Sequence, residues 1–98
     1  MHDKTINDQL FAVSDDLKDF ILYQVSDSTQ VDFVGFNVTS SKAFVQFARG
    51  AKYVYHGVSE KEMTSFGDYK TKGQFVGEVL IKGHHDYDRR DDLQIIKL

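Results

Sequence analysis

The chain of 98 residues contains no cysteine and no proline. Without cysteine it cannot form disulfides, thiolate zinc sites or a cysteine nucleophile, and this composition suits a reducing cytosol. Without proline, no X–Pro isomerisation can slow its folding. The N-terminus lacks the basic and then apolar run of a signal peptide, and no apolar stretch approaches the ~18 residues of a membrane span. We therefore expect a cytoplasmic protein.

Charge is unevenly distributed along the chain. The first 40 residues carry seven aspartates and two lysines, whereas residues 41–98 carry ten basic and eight acidic side chains. The net charge of −3 and the pI of about 5.7 differ from the strongly basic balance of a dedicated DNA-binding domain. A chain of this length has room for one hydrophobic core, so we expect one compact globular unit.

Residues 1–28 are interpreted as an acidic helical extension. The pattern predicts helix over Thr5–Val25, interrupted near Ser14, which has the character of an N-cap. Leu17, Phe20 and Ile21 are spaced three and four residues apart and would form one apolar stripe on the second helical piece.

Beyond residue 28 the apolar period changes to two, which is typical of strands. Val31–Val38, Ala43–Ala48 and Lys52–His56 predict a three-stranded antiparallel β-meander. A polar cluster at residues 39–41 and the glycine Gly50 supply the two turns between these strands.

Two short helices and a final strand complete the predicted α+β domain of residues 29–98. Ser59 and Glu62 have the spacing of a capping box and begin the first helix. The apolar spacing of Gln74–Lys82 predicts the second helix, and Leu93–Leu98 predicts the strand.

The meander carries a spaced motif: Val31-x-x-Val34-Gly35-Phe36-Asn37, then Ala43-x-Val45-x-Phe47-x-x-Gly50-x-x-Tyr53-x-Tyr55-x-Gly57-Val58, and later Thr71-x-Gly73-x-Phe75. Over roughly residues 29–83 this motif resembles the KTSC domain, a family of mostly small bacterial and phage proteins. Two positions depart from the family pattern, since Ser59 replaces its usual proline and Val76 its frequent asparagine. Most matched positions are apolar, aromatic or glycine, so the resemblance implies a fold more than a function.

The KTSC family is named after its occurrence at the C-terminus of some lysyl-tRNA synthetases. The resemblance therefore implies a small binding module whose partner is a nucleic acid or a nucleic-acid-handling protein. Glycine-rich phosphate loops, nucleophile elbows and metalloprotease motifs are absent, and no nucleophile is identifiable for His56. We predict no enzyme activity, no cofactor and no small-molecule substrate.

A charged cluster spans His84–Arg90. Adjacent histidines diverge on a strand or a helix, so a solvated loop is favoured over a metal site. The arginines of this cluster and the lysines that precede it are suited to phosphate contacts. However, four neighbouring aspartates would repel a phosphate backbone. The candidate nucleic-acid-binding residues are Lys70, Lys72, Lys82, Arg89 and Arg90.

The aromatic residues Phe36, Tyr53, Tyr55 and Tyr69 allow two interpretations. They could stack the bases of a single strand on the sheet. Packing in the core, with hydroxyl groups at its rim, is favoured because Tyr53 and Tyr55 alternate with the apolar Val54.

The acidic N-terminal segment is either a solvated surface or a surface for a basic partner. In the second case the alternative function is a phage-type inhibitor or adaptor that acts on a host protein in the host cytoplasm. The apolar tail could pair with an edge strand of a partner or of a second copy in a homodimer. The candidate partner-binding residues are Asp15, Asp16, Asp19, Ile95, Ile96 and Leu98.

Overall fold

The computed structural model describes residues 1–98, and most of its regular structure is β. The strands are β1 (His2–Ile6), β2 (Gln9–Val13), β3 (Ile21–Gln24), β4 (Val31–Asn37), β5 (Lys42–Phe47), β6 (Lys52–His56), β7 (Tyr87–Arg89) and β8 (Ile95–Lys97). They form two antiparallel sheets, one in the order β1-β2-β8 and one in the order β3-β4-β5-β6-β7. The helical elements are α1 (Glu60–Thr64), α2 (Lys72–Phe75), a π-helix (Val76–Ile81) that continues α2, and 3-10 turns at Asp15–Leu17 and Ser65–Asp68. None of these helices has the length and apolar composition needed to cross a membrane.

The predicted N-terminal helix is wrong, because β1 and β2 form a hairpin. Its turn contains Asn7 and Asp8, whose φ angles are 49° and 66°. Asn and Asp tolerate this left-handed conformation, which two-residue hairpin turns require. In β2, Phe11 and Val13 are buried whereas Leu10 is 49 % exposed. The apolar side chains therefore follow the strand period of two.

The second predicted helical piece, after Ser14, is also absent. The hydroxyl oxygen of Ser14 accepts a hydrogen bond from the backbone amide of Gln94 at 2.7 Å, and it caps no helix. Leu17 ends a single 3-10 turn and is buried, as is Phe20, but Ile21 is 59 % exposed at the start of β3. Residues 1–28 are therefore strands and turns, and the predicted acidic helical extension is wrong.

The three strands of the predicted meander are present, but the prediction of a three-stranded sheet is wrong. β4, β5 and β6 lie within one residue of their predicted bounds. However, β3 pairs with β4, and β7 pairs with β6, so the sheet has five strands. The predicted α+β class is corrected to a mostly β fold, since the first helix is a hairpin and part of the predicted charged loop is β7.

The five-stranded sheet is covered on both faces. The helices pack on one face through a core of 13 buried residues that includes Phe36 and Phe75. The three-stranded sheet packs on the other face through a core of 10 buried residues that includes Phe11, Phe33 and Leu93. Because β8 pairs with β2, the N-terminal hairpin and the C-terminal strand lie in the same sheet and cover the same core.

Candidate binding groove

A groove lies on the helix side of the five-stranded sheet, at the end formed by β6 and β7. The helical layer packs on the other end of this face, where the rings of Phe66 and Phe75 contact Phe36 of β4. The uncovered end forms a cavity of about 940 Å³, which the β5–β6 turn and the segment after the π-helix enclose. Ligand clefts commonly have volumes of ~300–1,000 Å³, so this groove has the size of a binding site.

Four aromatic rings line the groove: Phe47 on β5, Tyr53 and Tyr55 on β6, and Tyr87 on β7. Alternation along the strands brings them to one face, and strand pairing places Tyr87 opposite Tyr55. The ring centroid of Tyr53 lies 5.4 Å from that of Tyr87 and 5.7 Å from that of Phe47, both in edge-to-face geometry. Tyr55 is 5 % exposed and forms the floor, whereas Tyr87 is 59 % exposed and forms the rim.

The hydroxyl group of Tyr55 remains a hydrogen-bond donor at every physiological pH. Burial raises the pKa of Tyr55 to about 12, and the proximity of Tyr53 and Tyr87 adds to this effect. The floor of the groove therefore presents a neutral donor among aromatic rings, which is suited to an acceptor atom on a planar ligand.

None of the residues that line the groove is acidic, although the chain has a net charge of −3. The basic side chains are Arg49, His84 and His85. Arg49 is exposed in the β5–β6 turn beside Gly50, whose φ of 98° lets the chain reverse. Arg49 takes part in none of the ion pairs of the structure. The groove thus combines aromatic walls with the charged Arg49 and two histidines, which suits a planar anionic ligand.

A sharp turn after the π-helix places both histidines at the groove. A side chain on Gly83 would overlap the backbone oxygen of Val79, so this approach requires glycine. His84 follows with a φ of 56° and is exposed. His85 turns inward and hydrogen-bonds to β6 and α1, which fixes it in the wall.

The three candidate lysines for nucleic-acid binding do not line the groove. Lys70 is exposed before α2, and the ammonium group of Lys72 lies 3.2 Å from the backbone oxygen of Phe66. Lys82 forms an ion pair with Glu78 at 3.2 Å. These lysines therefore form no shared phosphate site with the groove.

The two candidate arginines point in different directions. Arg89 lies 5.8 Å from the ring centroid of Tyr53, beside the groove, and is paired with Asp91 at 2.8 Å. Arg90 is paired with Asp16 at 2.8 Å and so connects the end of β7 to the N-terminal segment. Of the five predicted nucleic-acid-binding residues, Arg89 thus lies against an aromatic ring of the groove.

The candidate acidic partner site is not a helical face. Asp15 lies 3.1 Å from the ring of His2, and Asp16 is paired with Arg90. Asp19 is exposed in the loop before β3. Two of the three carboxylates are thus engaged within the chain.

The candidate apolar tail is divided between core and surface. Ile95 is half-buried opposite Val13, whereas Ile96 and Leu98 are 46 % and 63 % exposed. Exposed Leu10 of β2 lies close to Leu98, whose backbone amide donates to the oxygen of Leu10 at 3.1 Å. These side chains form an apolar patch on the three-stranded sheet.

The sequence indicates Tyr53 and Tyr55 as one possible stacking surface, but it does not indicate that Arg49, His85 and Tyr87 are neighbours of these rings. Only the pairing of β6 with β7 brings Tyr87 to Tyr55. The alternation of Tyr87 with the charged Asp88 is a weak strand signal that could have indicated β7.

Comparison with known proteins confirms the resemblance carried by the motif. The sequence model of the KTSC domain family matches residues 27–84 of this chain. The crystal structure of a KTSC domain protein from Yersinia pestis is similar, with 27% sequence identity and a TM-score of 0.62, and the similarity covers 71% of this chain and 96% of that chain. No match is found among curated proteins. Because the family model matches more than half of its residues, this chain belongs to the KTSC domain family.

Proposed function

We propose that this chain is a cytoplasmic, non-enzymatic binding module that holds nucleic acid in the groove. The observation that carries the proposal is an aromatic-lined groove without acidic residues in a chain of net charge −3. Bases bind aromatic rings by stacking, and phosphates bind arginine. The occurrence of the family in some lysyl-tRNA synthetases is contextual support.

In this proposal Arg49 supplies the phosphate contact. Its guanidinium has no intramolecular carboxylate to displace, whereas Arg90 and Lys82 would have to exchange an ion pair for a phosphate. Binding at Arg49 therefore avoids the loss of an existing contact. The aromatic rings add a contribution that does not depend on base identity, so we expect little sequence preference.

The experiment is fluorescence anisotropy with labelled RNA and DNA oligonucleotides of mixed sequence. Between about 50 and 200 mM salt we expect the affinity to fall, because each phosphate contact to a single strand contributes about 0.7 to the log–log slope. Arg49→Gln should weaken binding and lower the slope by about 0.7. Lys70→Gln, which removes an exposed charge away from the groove, is the matched control and should leave the slope unchanged. Absence of binding to every oligonucleotide, or binding independent of salt, would overturn the proposal.

A second candidate function is an adaptor or inhibitor that binds another protein. The supporting observation is the apolar patch of Leu10, Ile96 and Leu98 beside β8, which has no neighbour on its outer edge. Ile96→Lys should abolish association with such a partner while leaving nucleic-acid binding intact. If Ile96→Lys leaves association with an identified partner protein unchanged, the patch is not its contact.

A further inference from the structure

The most exposed ring of the groove, Tyr87, is held in place by its neighbours. Its centroid lies 5.4 Å from that of Tyr53 at 80° and 5.8 Å from that of Tyr55 at 50°. The side chain belongs to a strand, and 59 % of its surface is exposed. A ring that is fixed on one side and open on the other loses little entropy when a planar group stacks on it.

The floor of the groove below Tyr87 carries one hydroxyl group, that of Tyr55. Because burial raises its pKa to about 12, the Tyr55 hydroxyl stays protonated and can donate a hydrogen bond. A base stacked on Tyr87 would bring its ring nitrogens or carbonyl oxygens toward this donor. Such edges are free only when the base is unpaired.

The elements of the chain are poorly suited to a duplex. Recognition in a major groove commonly uses an exposed basic helix or a two-stranded ribbon. The helices α1 and α2 comprise five and four residues, and the β1–β2 hairpin carries Asp3 and Asp8. Duplex bases also stack on one another, so they cannot present a face to rings inside a concave site. A duplex could contact Arg49 through phosphate but would leave the aromatic floor unused.

From these contacts we infer that the groove selects single-stranded nucleic acid over duplex, with an unpaired base stacked on Tyr87 and a neighbouring phosphate bound by Arg49. This inference rests on the proposed function and adds the form of the nucleic acid and the residue that discriminates. Tyr87 lies beyond the family-matched residues 27–84, so this chain supplies the stacking ring from its own C-terminal segment.

The test uses three labelled DNA probes of equal length in the anisotropy assay: a single strand, its duplex, and an abasic strand that keeps the phosphates and lacks the bases. We expect the single strand to bind at least about tenfold more tightly than either of the others. Tyr87→Ala should remove most of this difference, whereas Tyr87→Phe keeps the ring and should preserve it. Circular dichroism and urea unfolding of both variants establish that they are folded.

The outcomes separate the two proposals. Equal affinity for the single strand, duplex and abasic strand would overturn the stacking inference while leaving nucleic-acid binding in place. Loss of binding in a folded Tyr87→Phe variant would likewise overturn stacking, because the ring is retained. No binding to any probe would overturn the proposed function itself.

Discussion

The Nε2 atom of His85 lies 2.7 Å from the Oε2 atom of Glu62, and only 12% of the His85 side-chain surface is exposed. The Nδ1 atom of the same ring lies 3.0 Å from the backbone oxygen of His56. The backbone oxygen and the carboxylate are both hydrogen-bond acceptors, and the two contacts hold the ring between α1 and β6. His85 thus fixes this wall of the groove.

Replacing Glu62 by glutamine tests this contact. Burial raises the pKa of Glu62, but hydrogen bonds from the Ser59 amide and the His85 ring outweigh this effect and lower it below the ordinary 4.5. A lowered pKa means that the carboxylate stabilises the fold above pH 4.5 and that this stabilisation is lost as the pH falls below that value. At pH 7 we expect Glu62→Gln to reduce the free energy of unfolding by about 1 kcal/mol, measured by urea denaturation.

Glu60→Gln is the matched control, because it removes an acidic charge from the same first turn of α1. The Glu60 side chain is exposed and takes part in none of the ion pairs. Removing the Glu60 charge should lower the free energy of unfolding by about 0.3 kcal/mol, because only its interaction with the helix dipole is lost. The difference between the two variants should shrink as the pH falls below 4.5; equal losses at pH 7 would mean that the His85 contact contributes nothing.

Gly83→Ala should destabilise the fold and disturb the groove. Because an added methyl group would meet the backbone oxygen of Val79, the end of the π-helix must shift. Overpacking of this kind costs about 1–3 kcal/mol. Gly77→Ala, where a methyl group meets nothing within 4 Å, is the control and should be neutral or slightly stabilising in urea denaturation. Equal stability of Gly83→Ala and the natural chain would show that this turn can relax.

The central strands could be predicted from the sequence, but their neighbours could not. In β5, alternate residues such as Ala43 and Val45 face one core while Phe44 faces the other, a periodicity that is visible locally. By contrast, the spacing of Leu17, Phe20 and Ile21 fits a helix, and only the packing of the sheet decides that Ile21 faces solvent. Short apolar runs do not distinguish helix from strand until their partners are known.

The same limit applies to the groove. Tyr53 and Tyr55 could be recognised as a pair because they are two residues apart on one strand. Arg49 enters through a turn, and Tyr87 enters through the pairing of β7 with β6, more than thirty residues along the chain. A site assembled by such distant pairing leaves no continuous motif in the sequence.

Leu93→Ala should cost about 2–5 kcal/mol of unfolding free energy, because Leu93 is 2 % exposed in the core between the two sheets. Ile96→Ala, at a side chain of β8 that is 46 % exposed, should change stability by about 0.5 kcal/mol or less. Deleting residues 93–98 would remove Leu93 together with β8, so it would unfold the second core as well as remove the tail. Similar losses for the two alanine variants in urea denaturation would contradict the packing of Leu93.

Tyr55 should make the fold sensitive to alkaline pH. Its pKa is raised to about 12, first by burial and then by Tyr53 and Tyr87, from the ordinary value of 10.0. A raised pKa means that stability is fully present below pH 10.0 and is lost as the pH rises toward 12, because the unfolded chain releases this proton first. In a pH titration, the phenolate absorbance of the natural chain should contain a component with a midpoint near pH 12. The Tyr55→Phe variant should lack this component. The control variant Tyr69→Phe, which changes a tyrosine outside this group of rings, should retain it. If Tyr55→Phe removes a component near pH 10.0 instead, the hydroxyl is solvated and the floor of the groove is open to water.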